Sequence, residues 1–159
     1  MGAGSAYRGN KKSTVEESLA VAIQDFRERI HSHAIGTLTW TWTSGNKSSV
    51  GYFVTLSDRP TITLHYRWHD REDVRIPIRL QTTPTHFGGE RWWFTCPLAI
   101  DGVACNRRAG KLYLPPGARY FGCRKCHGLT YRSCQVAHQT ERLLSRMECG
   151  VDTLKSCQR

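Results

Sequence analysis

Nowhere in these 159 residues is there an apolar run of the roughly 20 residues that a membrane-spanning helix needs. The opening residues, MGAGSAYRGNKK, also lack the apolar stretch of a secretory signal. A cytoplasmic setting with no membrane partner is therefore expected, and in it cysteines stay reduced. Acidic residues are scarce too: 13 Asp and Glu stand against 23 Lys and Arg, for a net charge of +10. The shortage is uneven. Residues 1–95 hold 12 basic and 9 acidic side chains, residues 96–159 hold 11 and 4, and from 96 to 140 the sole acid is Asp101. No carboxylate pair, Ser-His-Asp set or phosphate-cradling glycine loop is discernible, so the chain reads as a non-enzyme. A nuclease whose residues meet only in the fold is what that reading leaves open. The basic balance favours a polyanionic partner, above all DNA or RNA, with an idle, solubilising surface as the competing explanation.

What is present begins with a change of character after a small, polar tail at 1–12. Ser13 with Glu16, or Thr14 with Glu17, forms a capping box, and Val15, Leu19, Ala22, Ile23, Phe26 and Ile30 recur at three- and four-residue steps. The spacing predicts an amphipathic helix over 15–31. From Gly36 the period becomes two. Four apolar rows follow, led by Leu38 and Trp40, by Val50, Tyr52 and Val54, by Ile62 and Leu64, and by Val74, Ile76 and Ile78. Short polar turns separate them, which predicts a four-stranded antiparallel meander whose apolar face the helix covers. Pro77 places an unpaired edge on the fourth strand. The opposite face collects Phe53, His65, Arg67, Arg75 and Arg79. Residues 81–90, with Pro84 and Gly88-Gly89, read as a linker. Val136, Thr140, Leu143, Leu144 and Met147 share a helical face near the C-terminus. The expected class is α+β: a tail at 1–12, a helix-plus-sheet domain at 13–86, a metal-binding ribbon at 87–133, and a C-terminal helix and tail at 134–159.

The ribbon rests on four of the seven cysteines: Cys96, Cys105, Cys123 and Cys126. The two-residue gap in Cys123-Arg-Lys-Cys126 lets two sulfurs converge on one ion while turn amides bond to them. Cys96 and Cys105 are eight residues apart, and Asp101-Gly102 offers a turn where the extra residues can loop out. The 17 residues between Cys105 and Cys123 suit the interval between ribbon pairs, joined by a hairpin around Pro115-Pro116-Gly117. One Zn2+ held by four thiolates has no open position for water, so its role would be structural. Iron suits the same sulfur tetrahedron, and Cys123/Cys126 alone suits a redox dithiol. The string Cys123-Arg-Lys-Cys126-His127 also matches a haem attachment site, which requires export. His127, Cys134 or His138 in place of one cysteine is a further variant. Around the cysteines stand Arg107, Arg108, Lys111, Arg119, Arg124, Lys125 and Arg132, interleaved with Tyr113, Tyr120 and Phe121. Such a set predicts a nucleic-acid-binding surface that works mainly through phosphates, with stacking on the rings. A protein-interaction adaptor, or small subunit of a larger bacterial assembly, is the alternative.

The stretches FGGERWWFTCP and CNRRAGKLYLPPGARYFGCRKCHGLTYRSCQ, within residues 87–135, resemble an uncharacterised bacterial protein family. That family shares the Gly-Gly-x-Arg-Trp-Trp-Phe lead-in, the Cys-Pro, the Arg-Arg pair, the Lys-Leu-Tyr-Leu-Pro-Pro-Gly hairpin and the second cysteine pair. The broader likeness is to zinc ribbons of transcription and nucleic-acid-processing proteins, from which the eight-residue first spacing departs. The resemblance implies a metal-bound ribbon and brings no activity with it.

Overall fold

A computed structural model describes residues 12–42, 45 and 47–135 of the chain. It is mostly β. Ten strands run in order: β1 (Leu19–Ala22), β2 (Ile35–Thr41), β3 (Lys47–Thr55), β4 (Thr61–Trp68), β5 (Glu72–Pro84), β6 (Glu90–Thr95), β7 (Ala99–Ile100), β8 (Val103–Ala104), β9 (Arg108–Ala109) and β10 (Lys111–Leu114). One 3-10 turn, Ile23–Phe26, follows β1. Strands β2-β3-β4-β5-β6-β9 form a curled, antiparallel six-stranded sheet, β1 pairs with β10, and β7 pairs with β8. Among the described residues no helix is long and apolar enough to cross a membrane.

The period-two rows fold as alternation dictates. Val50, Tyr52, Val54, Ile62, Leu64, Val74, Ile76, Ile78 and Leu80 are buried on one face, while Phe53, His65, Arg67, Arg75 and Arg79 lie on the exposed one. Register holds these rows together, with Leu64 opposite both Tyr52 and Ile76. Leu80 donates its N–H to Pro60 across β4. Since N–H groups alternate sides along a strand, the nitrogen of Pro77 points to the other edge, where no described strand pairs with residues 72–79.

The α+β expectation is overturned, because the helix over 15–31 does not form. Thr14 and Glu17 make half of the capping box, the Glu17 carboxylate accepting from the Thr14 N–H at 3.2 Å, but the turn stops there. Val15 donates to Thr130 and Thr130 to Ser13, and the chain then extends as β1 against Lys111–Leu114. A backbone whose hydrogen bonds are committed to a strand partner cannot also close i to i−4 rings. Beneath the helical spacing lay a second pattern: Leu19, Val21 and Ile23 also alternate, and Val21 and Ile23 are buried. The covering function survives the change of conformation. Asp25 accepts from the Ala22 N–H at 2.9 Å and starts the 3-10 turn. That turn drops Phe26 onto the sheet, edge-on to Tyr52 at 4.9 Å and to Phe94 at 6.0 Å between ring centroids.

In the stretch expected as a linker, 81–90, residues 81–84 and 90 are strand and 85–89 form the turn between them. β5 continues to Pro84 and pairs with β6, Gln81 facing Trp93 and Thr83 facing Arg91. Side chains support this extension, Trp93 Nε1 donating to Thr83 Oγ1 at 2.9 Å and Gln81 Nε2 to Thr95 Oγ1 at 2.6 Å. The hairpin around Pro115-Pro116-Gly117 closes the far end of the sheet. Tyr66 donates its hydroxyl to the Arg119 carbonyl at 2.6 Å, Trp68 Nε1 donates to the Ala118 carbonyl at 3.1 Å, and Phe121 is fully buried against Tyr66. Residues 132–135 make a single helical turn. The tail expected at 1–12, except Lys12, and the C-terminal helix and tail expected at 134–159, from 136 onward, lie outside the described residues.

Candidate metal centre

The first cysteine directly follows β6, whose last residues, Phe94 and Thr95, are buried and anchor it in the core. The Cys96 N–H donates to the Arg107 carbonyl at 2.9 Å, and the Cys105 N–H to the Leu98 carbonyl at 2.8 Å. Between these two bonds the surplus residues form the β7–β8 hairpin, turned by Asp101 and Gly102 at φ 51° and 77°. Two successive positive φ angles make the primed turn that suits a tight hairpin, and Asp-Gly is the pair that adopts it at least cost. The hairpin leaves the knuckle and returns, so an eight-residue spacing still brings Cys105 beside Cys96.

The second pair is presented by a compact turn, with Gly128 donating to Lys125 and Leu129 to Arg124. All four sulfurs then lie within 4.8 Å of one another. Cys96 to Cys126 is 3.8 Å, Cys105 to Cys123 is 3.9 Å and Cys123 to Cys126 is 3.5 Å. A tetrahedron with metal–sulfur bonds of about 2.3 Å has edges of about 3.8 Å, so the donor set could hold one metal ion. The Cys123 N–H donates to Cys96 Sγ at 3.2 Å, the kind of amide support that steadies a bound thiolate. Burial pushes the Cys96 and Cys126 thiols up from the ordinary thiol value. At Cys105 burial pushes the same way, but the Arg107 backbone N–H and the neighbouring sulfurs outweigh it, and the net shift is downward. Loading an ion must displace thiol protons, so metal affinity falls with acidity. The alternative ligands stand elsewhere. His127 is not part of the sulfur cluster and its Nε2 is buried without a hydrogen-bond partner, Cys134 is exposed, and His138 lies outside the described residues.

Beside the sulfurs runs an open groove of about 610 Å³. Five of the seven basic residues singled out in the sequence line it: Arg107, Arg108, Lys111, Arg124 and Lys125. Arg119 does not. It pairs with Glu72 near the hairpin tip and lies over the Tyr120 ring. Arg132 is absent from the lining as well; it sits in the short helical turn, its backbone N–H donating to Glu16 at 3.1 Å. Sequence reasoning missed Arg91, which lines the groove with its guanidinium 4.2 Å from the Trp93 ring centroid. Strand alternation in β6 was the available signal, since it sets Arg91 and Trp93 on the face opposite Trp92 and Phe94. Tyr113 and Tyr131 complete the groove, with the Arg124 guanidinium 5.1 Å from the Tyr131 ring centroid. Among the described residues the recorded ion pairs, Arg67–Asp73 and Arg119–Glu72, leave every groove cation without an acidic partner. No protein-family model, curated protein or solved structure matches the chain.

Proposed function

We propose that this protein is a small zinc-ribbon module, cytoplasmic and non-enzymatic, that binds nucleic acid through phosphate contacts in the basic groove. One observation carries the reading: both cysteine pairs deliver cations to the same groove. Arg107 and Arg108 follow Cys105, and Arg124 and Lys125 stand between Cys123 and Cys126. A metal that ties the two pairs together therefore fixes the spacing of the charges. Zinc is the ion that best suits four thiolates in a closed, redox-silent site. It would act on folding and on groove shape, with no coordination position left for substrate. Cations in a concavity, with no acidic partner among the described residues, suit phosphate oxygens, and arginine supplies the planar fork that grips them. The resemblance to the bacterial zinc-ribbon family belongs to the same proposal, since its shared Arg-Trp-Trp-Phe, Arg-Arg and Lys-Leu-Tyr-Leu segments flank this groove.

Replacing Arg107, Arg108, Arg124 and Lys125 together by Ala tests it. Affinity for nucleic acid should drop across many sequences, with metal content unchanged. The log–log dependence of affinity on salt, about −0.9 per phosphate neutralised on duplex DNA, should flatten. Binding that survives the quadruple change would overturn the groove assignment. An adaptor role has its own support in strand β2, an outer strand of the sheet whose seven residues carry no charge and whose Ile35 is 82% exposed. Such an edge can accept a strand from another chain. Retention of protein partners by the nuclease-treated quadruple variant, with no nucleic acid bound by the parent, would favour that reading.

A further inference from the structure

We infer that the groove takes a single strand and stacks a base on Tyr131, an assignment that rests on the nucleic-acid reading above. The first support is size. A concavity of about 610 Å³ is about 10 Å across if compact, narrower than the major groove alone of a B-form duplex at about 12 Å. A duplex can rest only on its rim, whereas one sugar-phosphate chain can enter. The second support is the arrangement of rings and charges. Tyr131 lines the groove and is 43% exposed although Arg124 lies over its ring, so the residue is accessible from solvent there. Tyr113, by contrast, is buried to 7% exposure and offers a wall rather than a platform. A half-exposed ring backed by a guanidinium costs hydration when left bare, and a base with its own π-face covers it on binding.

The third support is the distribution of sign. Arg107, Arg108 and Lys111 come from the chain after the first cysteine pair, Arg124 and Lys125 stand within the second, and Arg124 lies against Tyr131. Glu16 stands near the tyrosine end, where it accepts from the Arg132 N–H. Cations thus run along the groove up to Tyr131, where Arg124 can hold a phosphate and the ring can take the uncharged base beside it. Alternating charge and ring is how sequence-tolerant single-strand sites work, with base stacking the contribution that a duplex, its bases already stacked, cannot offer.

The test uses the full-length, metal-loaded protein and fluorescence anisotropy with short fluorescein-labelled oligothymidylate and oligouridylate. A duplex of equal phosphate count serves as comparison. Both single strands should bind more tightly than the duplex. Tyr131→Ala should weaken single-strand binding by about 5- to 150-fold, and Tyr131→Phe, which keeps the ring, should restore it. Duplex binding should move little in either variant, and metal content should report that both stay folded. Equal affinity for strand and duplex, or a neutral Tyr131→Ala, would overturn the stacking assignment and leave the phosphate groove standing. Failure of every nucleic acid to bind at low salt would overturn both.

Discussion

Stripping the metal with a chelator, or replacing Cys126 by Ser, is expected to abolish cooperative unfolding of the ribbon and loosen the sheet it completes. Structural zinc sites contribute about 10–16 kcal/mol of apparent binding free energy, comparable to the whole stability of a domain. Little else holds the first cysteine pair, although Leu112 and Phe121 bury the second half of the ribbon in the core. The β7–β8 hairpin is exposed on both strands, and β9 contributes only two residues to the sheet. Cys134→Ser is the internal control. That thiol is exposed and stands apart from the sulfur cluster, so its loss should leave the thermal midpoint within about 1 °C, as befits a neutral surface change. Thermal melts of the three forms decide the matter. Equal losses for Cys126→Ser and Cys134→Ser would mean that the ligand set is wrong.

Phe26→Asp should be nearly as damaging. Phe26 is fully buried and packs edge-on against Tyr52 and Phe94. Truncating a buried Phe costs about 3–5 kcal/mol, and a carboxylate with no partner there adds its desolvation. A loss of at least about 4 kcal/mol is expected by urea unfolding. Because Phe94 leads directly into Thr95 and Cys96, the variant should also bind metal less tightly. Parent-like stability would mean that the turn at 23–26 does not cover the sheet.

Legibility in the sequence followed how local each determinant was. The strands from 35 to 80 were readable because alternation is written into consecutive residues, and burial at Val50, Ile62, Leu64 and Ile78 follows it. The convergence of Cys96, Cys105, Cys123 and Cys126 was readable because two cysteine pairs at ribbon spacing, joined by a hairpin, bring four sulfurs to one place, where they could hold a metal ion. The N-terminal segment was not. Leu19, Ala22, Ile23, Phe26 and Ile30 fit a helical face, while Leu19, Val21 and Ile23 fit a strand. The deciding partner, Lys111–Leu114, lies some ninety residues away. Propensity is a weak prior, and tertiary pairing overrode it here. The continuation of the sheet from β5 into β6 was hidden for a local reason, because Pro84 and Gly88-Gly89 look like breakers of a linker when they bound a hairpin turn. In the candidate groove, basic residues near the cysteines were evident from composition. Sorting Arg119 from Arg107, and adding Arg91, required the register of β5 with β6 and the path of the hairpin.

The central claim is that Cys96, Cys105, Cys123 and Cys126 together hold one metal ion that fixes the groove. Elemental analysis of the purified full-length protein and its Cys105→Ser variant tests it most directly, Cys105 being the ligand that the long first spacing made least obvious. The account predicts about one zinc per chain in the parent and a large loss in the variant. A parent free of both zinc and iron after metal-replete expression, or a variant that keeps its full metal content, would contradict it.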